Sequence, residues 1–591
     1  MPYERGGTMM TPVTFHGCFG WLHGDAAKQG REVAVLICPG LNHDALNAHH
    51  GHRLLADEFA AAGYPAMRFD YPNTGDSCNI AGYDLQSRLD LWEIWLDAVD
   101  AAIDTLRLHT GAQKIILCGL RIGAALAALA AGRRDDVAGL ILLSPVIKGQ
   151  SYLRQLWIEA RLYDETSPPL EDGLLFQEVC FNAVTVSTIG AVDLRHAVMP
   201  EGVKIAVFAP SHGRLVEECR RAWEANGAEF FSADFAGLEP LLTLNVEDFK
   251  THPDFGPVLA WLRGAVPAGL SAQAPVPLDR PANLESPGFV ETAWRFGDGG
   301  RLFGMLCEPE RRDATDIVLI VNAGRDPHYG PGRFGVEFAR TLARDSIASL
   351  RLDFAGFGDS LGPPGEETRL SSLFDMDRSA DVSAAIDSLA RLGFLNFAAY
   401  GLCAGAYHVM RAAVADPRIS RLLLVNMPLL DWQSGEGIDF IRHKNMPLRY
   451  FLAEFAKLRS WPIARHKILK SGSVLRGQFL RLAAKFSSAA SLTPGQKNIA
   501  ALLRRNVKSL FLFGEGDLGL DAVTRELEPL RADPKFAETI TIDVLPNFDH
   551  LVSHETTRHA AANHMRAFLR HTGASPTPAA MVPEPMAAHA D

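Results

Sequence analysis

The sequence predicts an α/β fold built as two tandem domains, each a mostly parallel, doubly wound sheet covered by helices on both faces. Three observations predict it. First, KIILCGLRIGAALAALAA (Lys114 to Ala131) and NFAAYGLCAGAYHVMRAA (Asn396 to Ala413) share one template: a short apolar run, Gly-Leu, one residue, then a residue and a Gly, then an Ala-rich amphipathic segment. Second, the two halves keep step. Gly40 to Asp70 spans 30 residues and Gly324 to Asp353 spans 29, while Asp70 to Arg121 spans 51 and Asp353 to Cys403 spans 50; RFDYPNTGDS matches RLDFAGFGDS. Such register marks duplication of a whole fold. Third, buried-strand runs alternate with helical periodicity throughout both halves.

In the first half VAVLICPG (33–40), AMRFD (66–70), KIILCG (114–119), LILLSPV (140–146) and KIAVFAP (204–210) read as strands, with helices over 53–62 and 85–107. The second half repeats the pattern with DIVLIVNAG (316–324), ASLRLD (348–353), FAAYG (397–401), RLLLVNMP (421–428) and SLFLFGEGD (509–517), and helices over 334–344 and 379–392. At 591 residues the chain exceeds the ~250 to 300 at which a single core stops growing. The expected domains are 10–263 and 288–571. The Pro, Ala and Gly-rich stretch 264–287 reads as a linker, and the tail 572–591, of similar composition, as disordered.

A residue at a strand end with Gly two before and two after it sits on a nucleophile elbow. The glycines admit the tight turn and let strand and helix approach, which leaves the central side chain at a helix amino terminus. There the helix dipole favours a thiolate at Cys403. The backbone NH of Ala404 is the expected oxyanion donor, with a second from the loop around Gly324 and Arg325. Asp517, ending SLFLFGEGD, is placed to orient a histidine, and His550 in VLPNFDHLVS to take the proton from Cys403. Asp521 and His554 are their near competitors, and a buried structural thiol is the bland alternative for Cys403.

With the elbow GLCAG, the turn DFAGFGDS, the acid in GEGD and the histidine in FDH, the chain resembles the α/β-hydrolase fold. More narrowly, GLCAGA behind RLDFAGFGDS resembles one type of exosortase A system-associated hydrolase, and GLRIGA with SPVIKGQSYLRQLW resembles the companion type, in which arginine also stands at the elbow. That resemblance implies a setting in bacterial exopolysaccharide or related surface-polymer biosynthesis and no particular substrate.

The first half lacks the whole triad. Aligning the sheets brings His212 to the acid position and Glu239 or Pro240 to the histidine position, and Arg121 cannot act as a nucleophile because its guanidinium stays protonated. Arg121 either binds an anionic group of a substrate or pairs with an internal carboxylate. The first half therefore reads as a degenerate domain.

His43, His49, His50 and His52 in NHDALNAHHGH lack the spacing of a familiar metal site, so no metal is expected there and no cofactor is implied. Between Arg442 and Arg505 stand fourteen Lys or Arg against one acid, Glu454, a net +13 in a chain of −11. This insertion, within an expected helical lid over about 431–505, suits an anionic partner: the phosphates of coenzyme A, an acyl carrier protein, an anionic polysaccharide, or the acidic first half.

The overall charge of −11 and pI near 6.0 argue against general nucleic-acid binding. The amino-terminal residues MPYERGGTMMTPVTF do not form a secretory signal, and no apolar run is long enough to span a membrane. Eight cysteines without CxxC pairs suit a reducing cytoplasm. The expected activity is hydrolysis of an ester or thioester through an acyl-cysteine, with a small-molecule or carrier-bound acyl substrate; acyl transfer to a hydroxyl or amine is the second reading, and a non-catalytic scaffold the reading of another class.

Overall fold

The computed structural model describes residues 3–5, 8–24, 30–163, 168–209, 213–242, 253–278, 281–311, 315–362, 373–432, 492–552 and 554–572. The first sheet contains β1 (Tyr3–Arg5), β2 (Thr8–Phe15), β3 (Cys18–His23), β4 (Val33–Cys38), β5 (Ala66–Phe69), β6 (Lys114–Leu120) and β7 (Val137–Leu143). A separate hairpin, β8 (Gly173–Phe176) and β9 (Val179–Asn182), precedes its last two strands, β10 (Lys204–Phe208) and β11 (Glu229–Ala233). The second sheet contains β12 (Asn283–Ser286), β13 (Phe289–Phe296), β14 (Leu302–Pro309), β15 (Asp316–Val321), β16 (Ala348–Asp353), β17 (Asn396–Leu402), β18 (Ile419–Val425), β19 (Lys508–Gly514) and β20 (Ile540–Leu545).

The strand orders are β1-β2-β3-β5-β4-β6-β7-β10-β11 and β12-β13-β14-β16-β15-β17-β18-β19-β20, one topology used twice. Antiparallel strands open each sheet and parallel strands follow, so each half is an α/β-hydrolase fold. The central strands are buried along nearly their whole length, the consequence of helices on both faces.

Several boundaries differ from the sequence reading. The helix expected over 53–62 runs from His43 to Ala61, straight through Gly51. A Cβ at Gly51 would lie 2.2 Å from Leu241 Cδ1, so the glycine serves close packing rather than a turn. The helix expected from 85 begins at Leu91, where the Asp90 side chain accepts from Trp92 N, and ends at Gly111 with φ 69°. The helix Phe334–Arg344 and strand β16 fall where expected. The opening hairpins of both sheets were not foreseen. The first turns at His16 and Gly17, both at positive φ, and the second at Gly297 to Gly300.

The stretch read as a linker is tied down at both ends. Ser271 N donates to Gly30 O and Val276 N to Leu108 O, and residues 283–286 form β12 of the second sheet. The basic lid falls mostly at 433–491, outside the described residues, as do the tail beyond Thr572 and His212. The described end of the insertion is the helix Pro494–Arg504, closed by a capping box between Thr493 and Gln496.

The halves meet through repeated contacts between equivalent residues. Arg68 on β5 reaches Asp359 at 2.5 Å, and its counterpart Arg351 on β16 reaches Asp76, the counterpart of Asp359, at 3.2 Å. Phe19 and Phe303, which hold the same register position on β3 and β14, stack with centroids 6.4 Å apart. Arg53 donates to the carbonyls of Gly358 and Ser360, and Arg333 to the equivalent carbonyls of Gly75 and Ser77.

Candidate active site

The two elbows are built alike. Arg121 has φ 54° and ψ −115°; Cys403 has φ 54° and ψ −116°. Both lie in a left-handed region that costs a non-glycine residue roughly 1 to 3 kcal/mol, held by the surrounding packing. Glycines are obligatory on either side. A Cβ at Gly401 would stand 2.2 Å from Gly405 C, and one at Gly405 would stand 2.5 Å from Asn322 O. The second contact fixes the start of the helix Ala404–Ala415 against the end of β15, next to the loop carrying Gly324 and Arg325.

Asp517 and His550 come together. His550 Nδ1 lies 2.6 Å from Asp517 Oδ2, with Asp517 buried and His550 about half exposed. Asp517 also caps the helix Leu518–Leu527, its Oδ1 accepting from Gly519 N at 2.7 Å, so the carboxylate is oriented by two partners. The other edge of His550 faces Cys403. Burial disfavours an imidazolium, but the Cys403 sulfur and the Asp517 carboxylate outweigh it and raise the His550 pKa to about 11. The ring is thus held between the Cys403 sulfur and the Asp517 carboxylate.

Asn426 is a site residue that sequence reasoning missed. It follows β18 at φ 45° and is wholly buried. Its Nδ2 donates to Asp549 O and His550 O at 3.0 and 3.1 Å, while its Oδ1 accepts from Gly514 N at 3.0 Å. One amide thus ties the end of the acid strand to the backbone of the histidine. The one signal in sequence was an asparagine ending RLLLVN, where a left-handed residue is needed and asparagine tolerates it.

The first half carries different residues at the equivalent positions. Arg121 Nε pairs with Asp44 Oδ2 at 3.4 Å, the internal-carboxylate alternative. Burial raises the Asp44 pKa, and Arg121 offsets part of that rise. Ser144 holds the ladder position of Asn426, donating to Phe208 O as Asn426 donates to Leu512 O, and has no amide to clamp a histidine loop. Glu239 and Pro240 lie in the short helix Leu238–Leu242. Glu178, from the tip of the β8–β9 hairpin, accepts from Asn42 N at 2.9 Å in the loop after β4; burial raises its carboxyl to about 7.

Of the other thiols, Cys18, Cys38, Cys118, Cys219 and Cys307 are buried core residues, while Cys78 and Cys180 are half-buried. Burial pushes Cys38 up to about 12 and Cys118 further still, and all eight cysteines are free. The four histidines of NHDALNAHHGH do not gather on one point: His43 meets Gln177, His49 meets Asp359 and Tyr329, and His50 meets Arg53. Among the described residues, His328, Asp353 and Asp359 are close enough to share an ion, their donor atoms within 4.8 Å of one another. However, both ring nitrogens of His328 already face carboxylates and Asp359 is held by Arg68 and Trp21. A cavity of about 40 Å³, room for a few waters, lies between the halves beside His52, Asp70 and Tyr329 rather than at Cys403. No described helix is long and apolar enough to cross a membrane.

No curated protein matches the chain. Among solved structures, the chain is similar to the complex of DcsB with its substrate analogue, at 14% identity and a TM-score of 0.31 over 44% of this chain and 99% of that one. It is similar to esterase Pf2001 from Pyrococcus furiosus at 13% identity and TM-score 0.29, over 48% of this chain and 92% of that one. XC6422 from Xanthomonas campestris, described as an a/b serine hydrolase without lid, is similar at 15% identity and TM-score 0.28, over 48% of this chain and 94% of that one. Residues 29–194 match the family Hydrolase_4, serine aminopeptidase S33, and the match falls on the half whose elbow carries arginine.

Proposed function

We propose that the second half is a cysteine-nucleophile esterase or thioesterase. The observation that carries this reading is the His550–Asp517 pair at 2.6 Å, set opposite a thiol on a strained elbow. His550 takes the proton of Cys403, and the thiolate adds to the substrate carbonyl. The tetrahedral oxyanion then lies against the backbone NH of Ala404 and the loop at Gly324 and Arg325. As the C–O or C–S bond to the leaving group breaks, His550 returns the proton to it. Water deprotonated by His550 attacks the acyl-cysteine, releasing the acid and restoring the thiol.

Acyl transfer from a thioester donor to a hydroxyl or amine is the second reading, favoured by the net +13 between residues 442 and 505, which suits a coenzyme A or carrier-protein donor. A cytoplasmic setting is supported by eight free cysteines, and one in exopolysaccharide synthesis by the resemblance of the two elbow segments. Intact-mass analysis after incubation with p-nitrophenyl acetate and with an acyl-CoA tests the reading: an acyl adduct on Cys403 supports it, and water against sugar or amine acceptors then separates the two. A protein that forms no adduct with either reagent, and whose Cys403 reacts with iodoacetamide no faster than Cys38, is a scaffold.

A further inference from the structure

The loop expected to supply the second oxyanion donor hangs on one carboxylate. After β15, Asn322 Nδ2 donates to Asp353 Oδ1 at 2.7 Å and to Asp326 O at 2.8 Å. At the far end, His328 N donates to Asp353 Oδ1 at 2.8 Å, and His328 Nδ1 lies 2.8 Å from Asp353 Oδ2. Gly324 and Arg325 are strung between these two anchors.

The chain of contacts does not stop there. His328 Nε2 lies 2.6 Å from Asp76 Oδ2 in the other half of the molecule. Asp76 is held in turn by Arg351 Nη2 at 3.2 Å, and His328, Asp353 and Asp76 are all almost wholly buried. A histidine between two carboxylates donates from both nitrogens only as an imidazolium. Burial opposes that state, while Asp76 and Asp353 on opposite edges of the ring raise the pKa well above the ordinary histidine value. Without Asp76 the ring loses half of what keeps it charged and loses its outer anchor.

The corresponding turn of the first half provides the contrast. Asp70 accepts from Asp76 N as Asp353 accepts from Asp359 N, yet the loop after β4 is held by the internal carboxylate of Glu178. Asp76 is therefore of use to the other half's loop.

We propose that Asp76, in the half without a triad, is a positioning residue for the reaction at Cys403: through His328 it fixes the loop Asn322–Gly330 and with it the oxyanion donors. The proposal rests on the catalytic reading of Cys403. It gives the degenerate half a part in catalysis at a distance from the reacting atoms.

Two reagents separate this role from a general structural one. Iodoacetamide alkylates Cys403 by forming an S–C bond as iodide leaves, and no oxyanion develops. p-Nitrophenyl acetate acylates it through a tetrahedral oxyanion, releasing p-nitrophenolate. Asp76→Asn should slow acylation by about 10- to 100-fold, less than outright loss of a donor, while alkylation stays within about two-fold of wild type. His328→Gln should show the same split, and the double variant should be no worse than the slower single one. Equal slowing of both reactions, no slowing of either, or loss of the cooperative melt in both single variants overturns the proposal. A wild-type protein that neither acylates nor preferentially alkylates at Cys403 instead overturns the catalytic reading, and the proposal falls with it.

Discussion

Arg121 and Cys403 occupy the same backbone conformation, φ 54° with ψ within one degree, at the heads of matching helices in the two halves. The strain of the elbow is the same whether the corner carries arginine or cysteine. Its presence in both halves shows that the fold, through the glycines and the packed helix, imposes the conformation, and that chemistry is added by what the corner carries.

Strain at Cys403 predicts an opposition between stability and activity. Cys403→Gly relieves a left-handed side chain, and after the added flexibility of the unfolded glycine it should stabilise the protein by about 1 kcal/mol. Denaturant melts check the gain, and intact mass should show acylation abolished.

Asp517→Asn should leave the fold intact and reduce acylation by about three to four orders of magnitude, because the histidine loses its orienting charge. It should also lower the pKa of His550, now raised to about 11. A raised histidine pKa contributes stability that is fully present below the ordinary value of 6.5 and is lost as pH rises through the native value near 11. In Asp517→Asn that decline should shift to lower pH, which imidazole NMR titration and alkaline melts would read together.

Asn426→Gly keeps the positive φ and removes the amide. It leaves Gly514 N and the carbonyls of Asp549 and His550 without their partner, at an expected cost of about 1 to 3 kcal/mol. Acylation should fall further than the melting change explains, since the histidine backbone is released. An activity loss that disappears once the folded fraction is corrected for would deny Asn426 a positioning role.

Arg121→Cys rebuilds the elbow sequence and should gain no activity. Neither Glu239 nor Pro240 offers a base, Ser144 offers no clamp, and Asp44 remains without its guanidinium. Alkylation mass spectrometry should find the introduced thiol slower than Cys403.

Acid should part the halves. Burial alone raises the carboxyl of Asp76, but His328 and Arg351 outweigh it and hold it at about 2; Arg68 and His49 likewise hold Asp359 well below the ordinary range. Depressed carboxylates contribute stability that is present above the ordinary value near 3.8 and lost as pH falls toward the native ones. Urea midpoints should drop between about pH 5 and about pH 2, and Asp76→Asn should flatten that drop.

The signals of the site proposed in the second half are local in the sequence. GLCAG, GEGD and FDH each carry a turn or cap that chemistry requires, and the period of the repeat set them in register. Asp76 and His328 were not legible. They stand 252 residues apart, and each looks like an ordinary polar residue beside a turn. The long first helix was shortened in the reading because Gly51 resembles punctuation when its purpose, close approach to Leu241, lies far along the chain. Asn426 was hidden for a different reason: one residue both ends a strand and bridges two loops, and only the first of these leaves a mark in sequence.

The crossed pairs Arg68–Asp359 and Arg351–Asp76 have the form of an isologous interface, in which residue i meets j and j meets i. In a homodimer one gene writes both surfaces, so a mutation that disarms one active centre disarms its twin. Joined in a single polypeptide, the two copies inherit changes separately. One can surrender its nucleophile and become a permanent bracing subunit, delivered to its partner at fixed stoichiometry with every chain that is made.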